Sequence, residues 1–409
     1  MKKILFSFLK MNTAGTEKSL LEILRRLGDR YEIHLAVAIP GGTGEKIFPE
    51  NVHIHHIKGF SRNVALIMEP KKEIPRRLLT LRWRSGIPAA YHYLRSVMNG
   101  SLAEYAAWLL REDRAGGRNA NPALDGEFDL SVDFTGPPGE YLEYYATNHI
   151  KAKRYASFIH FDLDWVTLRQ KTSEMVYDKC DGVFCVSELA LDQFRERFPK
   201  YAHKGHVLHN FTDNKLIIEK AQESNSGYAP VEGALNIVSV GRLTYKKGVE
   251  YALYALKALA DDGVDAHWHF VGGVVEYGSG KNPYLLLAEQ LGVADRAHFT
   301  SAEVKNPYPY ILGADVYVQL SRSEGYGIAM AEACILGTPI VATNAGAAQS
   351  LLDRPNGILL PALKKTTRPE DVAPSIAAAI RRAATLPRQA PSLTPLTPLT
   401  ELQPFLDLL

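Results

Sequence analysis

Ser321-Arg322-Ser323-Glu324-Gly325-Tyr326-Gly327-Ile328-Ala329-Met330-Ala331-Glu332-Ala333 is the stretch whose reading decides the fold. An apolar run, residues 314–320, precedes it and reads as a buried strand. Leu336-Gly337-Thr338-Pro339 follows, where a short helix must stop before the next strand begins. The stretch is therefore strand, glycine-punctuated turn, helix. Two glycines around one aromatic let the backbone turn sharply and leave amide hydrogens bare near a helix N-terminus, whose partial positive charge suits a phosphate or sugar hydroxyls. Glu324 falls in the turn and Glu332 about two helical turns later, each able to accept hydrogen bonds from a polyhydroxylated ligand. Taken alone, the stretch also fits a plain helix start, with Glu324 set against the dipole and Glu332 exposed.

Outward from it, short apolar strands alternate with helix-period segments, which is the pattern of parallel α/β architecture. Strands are expected at 3–8, 32–39, 52–57, 128–133, 155–160 and 182–187, then at 235–240, 266–271, 297–300, 315–320, 339–342 and 357–360. Two runs of six imply two doubly wound, Rossmann-like domains, not one closed barrel. A polar, turn-rich segment places the hinge around 211–233, giving domains at 1–215 and 216–385. At 409 residues the chain exceeds what one hydrophobic core accommodates, which agrees.

The alternation breaks between about 61 and 121. Lys71, Lys72, Arg76, Arg77, Arg82 and Arg84 are interleaved there with Ile74, Leu78, Leu79, Leu81 and Trp83, and a longer helical stretch is expected over 88–114. Such a segment either lies on an anionic membrane surface or packs its leucine face on the domain. Residues 386–409 carry Pro387, Pro391, Pro395, Pro398 and Pro404, which predict an extended, partly disordered tail ending in a leucine-rich turn.

Composition narrows the class. The chain is 46% hydrophobic and 22% charged with a net charge of +2, which argues against nucleic acid as a partner. Cys180, Cys185 and Cys334 lack metal-site spacing and fit a reducing cytoplasm as buried thiols. The apolar run at the start is too short for a signal peptide, and no run approaches bilayer length. The expected location is cytoplasmic, at most peripheral on the inner face of the plasma membrane.

Eighty residues before Glu324, a strand runs into Gly241-Arg242-Leu243-Thr244-Tyr245-Lys246-Lys247-Gly248 and then a helix. Arg supplies a planar fork of donors and Lys a point charge, a plausible diphosphate clamp. The spacing is neither that of a P-loop nor that of a dinucleotide fingerprint. Both stretches follow strand C-termini of one domain, the edge where doubly wound sheets bind ligands. Cations on one and carboxylates on the other make the recognition profile of a nucleotide-sugar.

Gly241-Arg242…Lys247-Gly248, Phe270-Val271-Gly272-Gly273, Val304-Lys305-Asn306-Pro307-Tyr308-Pro309-Tyr310 and Ser323-Glu324-Gly325-Tyr326-Gly327…Glu332-Ala333…Gly337-Thr338-Pro339 together resemble glycosyltransferase family 4. These are retaining enzymes of the GT-B fold, in which two Rossmann-like domains face each other across a cleft. The match covers 235–360 with the family spacing of seven residues between the two glutamates, and is looser around Gly15, His160, Ser187-Glu188 and His209-Asn210-Phe211.

The resemblance implies that Arg242 and Lys247 bind the donor diphosphate and stabilise the leaving group. It implies that Glu324 contacts sugar hydroxyls, that Glu332 accepts from the ribose, and that Gly15, Gly241, Gly272, Gly325, Tyr326 and Gly327 line the donor site. His160 would lie near the reacting sugar, alternatively being a satisfied strand-end residue. Catalysis would need no metal and no cofactor beyond a UDP- or GDP-sugar donor. Asp162-Leu163-Asp164 has metal-site spacing, but a helix N-cap role is at least as good a reading.

The implied activity is hexosyl transfer to a glycan or lipid-linked acceptor in bacterial surface polysaccharide assembly: capsule, lipopolysaccharide or exopolysaccharide. Two alternatives stay open: a transferase for a small soluble acceptor such as an inositol or sugar phosphate, and a silent nucleotide-sugar-binding subunit partnering another transferase. The proline-rich tail stands where family members commonly carry a helix that returns to the N-terminal domain, and 61–121 would carry acceptor specificity.

Overall fold

The computed structural model describes residues 1–11, 15–57, 70–80, 83–98, 105, 124, 126–136, 140–148, 150–166, 168, 170–224, 228–273, 282–300 and 304–409. Two compact units emerge, one of residues 1–209 with 399–409, the other of residues 210–398.

The first unit holds β1 (Lys2–Lys10), β2 (Tyr31–Ile39), β3 (Val52–His56), β4 (Glu127–Asp133), β5 (Lys151–Ile159), β6 (Gly182–Cys185) and β7 (Gly205–Val207). They form one parallel sheet in the order β3-β2-β1-β4-β5-β6-β7. Its described helices are α1 (Gly15–Leu27), α2 (Pro70–Leu79), α3 (Trp83–Met98), α4 (Glu140–Asn148), α5 (Gln170–Tyr177) and α6 (Glu188–Arg197). The six strands expected in this half are all present, within a few residues at each end. The seventh, β7, is three residues long and shows no apolar run. The helix expected over 88–114 begins earlier, at Trp83, and beyond Met98 that expectation lies, Tyr105 apart, outside the described residues.

The second unit holds β8 (Leu235–Val240), β9 (Ala266–Val271), β10 (Ala297–Phe299), β11 (Val316–Gln319), β12 (Ile340–Thr343) and β13 (Gly357–Leu360), all parallel, in the order β10-β9-β8-β11-β12-β13. Its helices are α7 (Asn214–Ala221), α8 (Val249–Asp261), α9 (Pro283–Leu291), α10 (Tyr308–Gly313), α11 (Ile328–Leu336), α12 (Ala348–Leu351) and α13 (Pro369–Ala384). Helix α13 starts on Pro369, carries Glu370 and Asp371 in its first turn and Arg381 and Arg382 in its last, as the dipole favours. Its Ala373, Ile376, Ala377, Ile380 and Ala383 face is buried and packs on α8.

The boundary between units falls at 209/210, ahead of the expected hinge, because α7 packs on α10 and α11 and so belongs to the second unit. Asn214 ties α7 to the carbonyls of Ser392 and Thr394, and the Thr397 hydroxyl donates to the Asn210 carbonyl.

The tail differs from its expectation. Residues 387–398 are extended but held: Gln389 N–H donates to the Gly337 carbonyl and Ser392 N–H to that of Ile335. Gly337 has φ of +72°, and a Cβ there would sit 2.0 Å from the Gln389 oxygen, so this helix stop and the strand laid over it require glycine. Residues 399–409 then return to the first unit as a 3-10 turn and α14 (Gln403–Leu406). Phe405 is fully buried there, its ring centroid 6.2 Å from Phe6, 6.1 Å from Phe158 and 5.5 Å from Phe184. Proline forbids a long helix in this segment but not a docked one.

Candidate functional site

In the second sheet β8 and β11 are neighbours although two strands intervene in sequence, so their C-terminal ends form a topological switch point. The two loops singled out from the sequence leave the sheet there. Gly241 and Gly272 end β8 and β9 at φ of +143° and +149°, and a Cβ on Gly272 would lie 2.2 Å from the Gly241 oxygen. Leu243 N–H donates to the Gly273 carbonyl at 3.0 Å, which zips the two loops together. Gly248 is left-handed at +62°, and a Cβ there would strike the Leu320 carbonyl at 2.1 Å. Only glycine lets the β8 and β11 loops touch at this point.

Helices α8 and α11 start beside these loops from Gly248 and Gly327, both left-handed and without a side-chain cap. Their first N–H groups therefore have no capping oxygen of their own, and each helix end carries partial positive charge.

Lys247 and Glu324 meet across the switch point, Nζ to Oε1 at 2.5 Å, and the Ser321 hydroxyl donates to the same oxygen at 2.5 Å. The pair is largely buried, with side-chain exposures of 30% and 10%. Ser239, Gly241, Phe270, Gln319 and Ser321 line a small pocket with Lys247. Arg242 sits next to it, exposed, and among the described residues makes no hydrogen bond or ion pair.

Glu332 is buried, which removes the reading of it as an exposed helix residue, and its Oε1 accepts from the Tyr308 hydroxyl at 3.2 Å. The phenol of Tyr317 is pushed well above its usual range by burial first, then by the charges of Glu324 and Glu332, so both carboxylates act on one place. Tyr326 is buried too, and its carbonyl accepts from Ala347 N–H at 3.2 Å, which ties the turn to the loop after β12. Gly325 and Gly327 flank it in the turn.

Two further residues hold this site. Arg322, almost fully buried, donates to the Tyr245 carbonyl at 2.7 Å and pairs with Glu250 at 2.6 Å. Its guanidinium lies 3.9 Å from the Tyr245 ring centre and 4.3 Å from that of Tyr251, while its own N–H donates to the Lys246 carbonyl. Arg322 is thus the post on which the Lys247 loop hangs. Gly346, at φ of +60°, admits the β12 loop against the turn; a Cβ there would lie 2.8 Å from both Glu324 Cβ and the Gly325 oxygen. An arginine two residues before the glutamate was the visible signal for the first. Gly346, after β12, had none beyond being a glycine past a strand end.

His160 and Gly15 belong to the first unit, after β5 and at the start of α1, at the C-terminal ends of strands flanking β4. The His160 ring packs 4.6 Å from Phe134 and 5.5 Å from Phe158. Burial pushes its pKa down to about 3, against a hydrogen bond to the Phe134 main chain that favours the charged form. Its Nε2 is buried and has no hydrogen-bond partner among the described residues. Asp162 caps a 3-10 turn by accepting from Asp164 N–H, and Gln193 donates to both aspartates. The N-cap reading of that pair accounts for its geometry. Among the described residues no cluster of His, Cys, Asp or Glu could hold a metal ion, and no described helix is long and apolar enough to cross a membrane.

Two parallel, doubly wound domains with a switch-point site of this kind make the GT-B fold. The same architecture appears in Anabaena Alr3699/HepE, solved in complex with UDP and glucose, at a TM-score of 0.60 and 17% identity over 94% of this chain and 92% of that one. Residues 222–382, all within the second unit, match the family described as "Glycosyl transferases group 1". Curated relatives include the 2-deoxystreptamine glucosyltransferase of Streptomyces kanamyceticus, 32% identical over 29% of this chain, and the mannosylfructose-phosphate synthase of Agrobacterium fabrum, 25% identical over 41%. The matched segments span 30% and 39% of those relatives' own length.

Proposed function

We propose that the chain is a retaining glycosyltransferase of family 4 that moves a hexose from a UDP- or GDP-sugar, in the cytoplasm, onto a glycan or lipid-linked acceptor of bacterial surface polysaccharide assembly. The observation that carries this reading is the Lys247–Glu324 pair at the switch point, set between two uncapped helix N-termini. A diphosphate draws Lys247 to itself with Arg242 and the helix ends, while Glu324, released, accepts from sugar hydroxyls and Glu332 from the ribose. Positive charge comes from side chains and amides, so the reaction runs without a metal. The bond from the anomeric carbon to the diphosphate breaks as the acceptor oxygen bonds on the same face, and the acceptor's proton passes to the departing phosphate oxygen. His160, neutral, serves as a hydrogen-bond acceptor for a hydroxyl and not as a base.

Purified protein tested against a panel of UDP- and GDP-sugars, by nucleotide release and by thermal shift, is expected to release one nucleotide slowly. Lys247→Ala and Glu332→Ala should abolish that release. Failure to bind any donor would sink the proposal. Similarity to two enzymes whose names specify an aminocyclitol and a sugar-phosphate product favours a small soluble acceptor as the second reading. Addition of such acceptors to the same assay separates the two.

A further inference from the structure

Helix α3 is apolar on two opposite sides. Inward, Ala89 and Ser96 are fully buried and Tyr93 packs edge-on against Tyr105 at 5.6 Å. Outward, Ile87, Tyr91, Leu94 and Met98 follow one another at helical spacing and are 57%, 58%, 60% and 86% exposed, with Val97 beside them at 53%. A Cβ on Gly86 would lie 2.9 Å from Leu78, so the end of α2, with Leu79 at 84% exposure, adjoins the start of this stripe. A helix apolar all round belongs in a core or in lipid, and this one has a core on one side only.

Charge selects the occupant. Helices α2 and α3 contain six cations and one carboxylate, in a chain whose net charge is only +2. That carboxylate, Glu73, pairs with Arg77 at 3.0 Å and Arg76 at 3.7 Å. Lys71, Lys72, Arg76 and Arg95 are exposed. A protein partner would need a matching acidic ring around an apolar centre, whereas an anionic bilayer offers both without further design. At 16 residues α3 is about 24 Å long, too short to span a bilayer and suited to lie along it.

We infer that the α2–α3 face of the first unit docks on an anionic lipid surface, with Ile87, Tyr91, Leu94 and Met98 entering the headgroup–acyl boundary and Lys71, Lys72, Arg76 and Arg95 resting on the headgroups. The apolar anchor thus lies mainly on α3, C-terminal to the basic segment at 71–84 that drew attention in the sequence.

The test is flotation of the full chain with vesicles of phosphatidylcholine alone or mixed with phosphatidylglycerol. Binding is expected to the mixed vesicles at low salt, to fall as salt rises, and to be far weaker on pure phosphatidylcholine. Lys71→Gln and Arg76→Gln should each lower it roughly fivefold, and the double variant Ile87→Gln/Leu94→Gln about tenfold or more. All four positions are exposed, and circular dichroism checks that the variants fold. No flotation with mixed vesicles at low salt would overturn the inference, as would flotation that the double variant leaves unchanged. A concentration-dependent dimer abolished by the double variant would overturn it too, by assigning the face to a second copy. Donor binding is read separately by thermal shift, so failure of the transferase proposal and failure of this one are distinguishable.

Discussion

Lys247 and Glu324 hold each other at 2.5 Å, so each is the other's counter-ion at the switch point. Arg322 is what keeps that pair in register, and its buried guanidinium has Glu250 as counter-ion. Arg322→Ala should destabilise the second unit by about 3–5 kcal/mol, because it strands Glu250 and the Tyr245 carbonyl. Chemical denaturation measures this, and an effect within experimental error would remove the role given to Arg322. His160 has the opposite character, an uncharged group kept so by burial. Its folded pKa, down to about 3 from an ordinary 6.5, means the unfolded chain binds a proton that the folded one refuses. Stability from this residue is complete above pH 6.5 and is lost as pH falls from there toward 3. His160→Gln should therefore lose less stability between pH 7 and about pH 4 than the wild type does, measured by denaturation at each pH. The motif glutamates, glycines and cations were legible in the sequence because turn chemistry is local. Arg322 received no role from the sequence, because Tyr245, Glu250 and Tyr251, which bury it, lie more than seventy positions away.

At the scale of elements, the strands were readable because both faces of a parallel sheet are buried and each strand becomes a continuous apolar run. The short β7 carries no such run. The tail was the harder case. Its prolines argue correctly against a long helix, yet the carbonyls of Ile335 and Gly337 and the ring cage of Phe6, Phe158 and Phe184, none visible from local composition, order it. Phe405→Ala should cost the first unit about 3–5 kcal/mol, the range for removing a fully buried aromatic. A melting temperature equal to wild type would mean that α14 is not part of that core.

For the whole molecule, the chain passes from one unit to the other twice, at 209/210 and at 398/399, and a clasp sits beside both crossings on the first unit. His209 Nδ1 pairs with Glu401 at 3.0 Å, its N–H donates to the same carboxylate at 3.1 Å, and Nε2 reaches Glu188 at 3.2 Å. Burial lowers the His209 pKa, but the two carboxylates outweigh it and leave it above 6.5; burial raises that of Glu401, but His209 outweighs it and leaves it below 4.5. The histidine's contribution is complete below pH 6.5 and lost as pH rises through its raised value. The glutamate's is complete above pH 4.5 and lost as pH falls through its lowered value. The stability difference between wild type and Glu401→Gln should therefore peak between about pH 4.5 and 6.5 and shrink on either side. A difference independent of pH would mean the pair is not ionic.

The second crossing also sets an order of events during synthesis. The ribosome delivers residues 210–398 before 399–409, so the second unit has its whole sequence while the first still lacks Phe405 and Glu401. Domains otherwise tend to mature from the amino terminus as the chain emerges. Here the half translated first is completed last, and until residues 399–409 emerge its aromatic floor stays open to water.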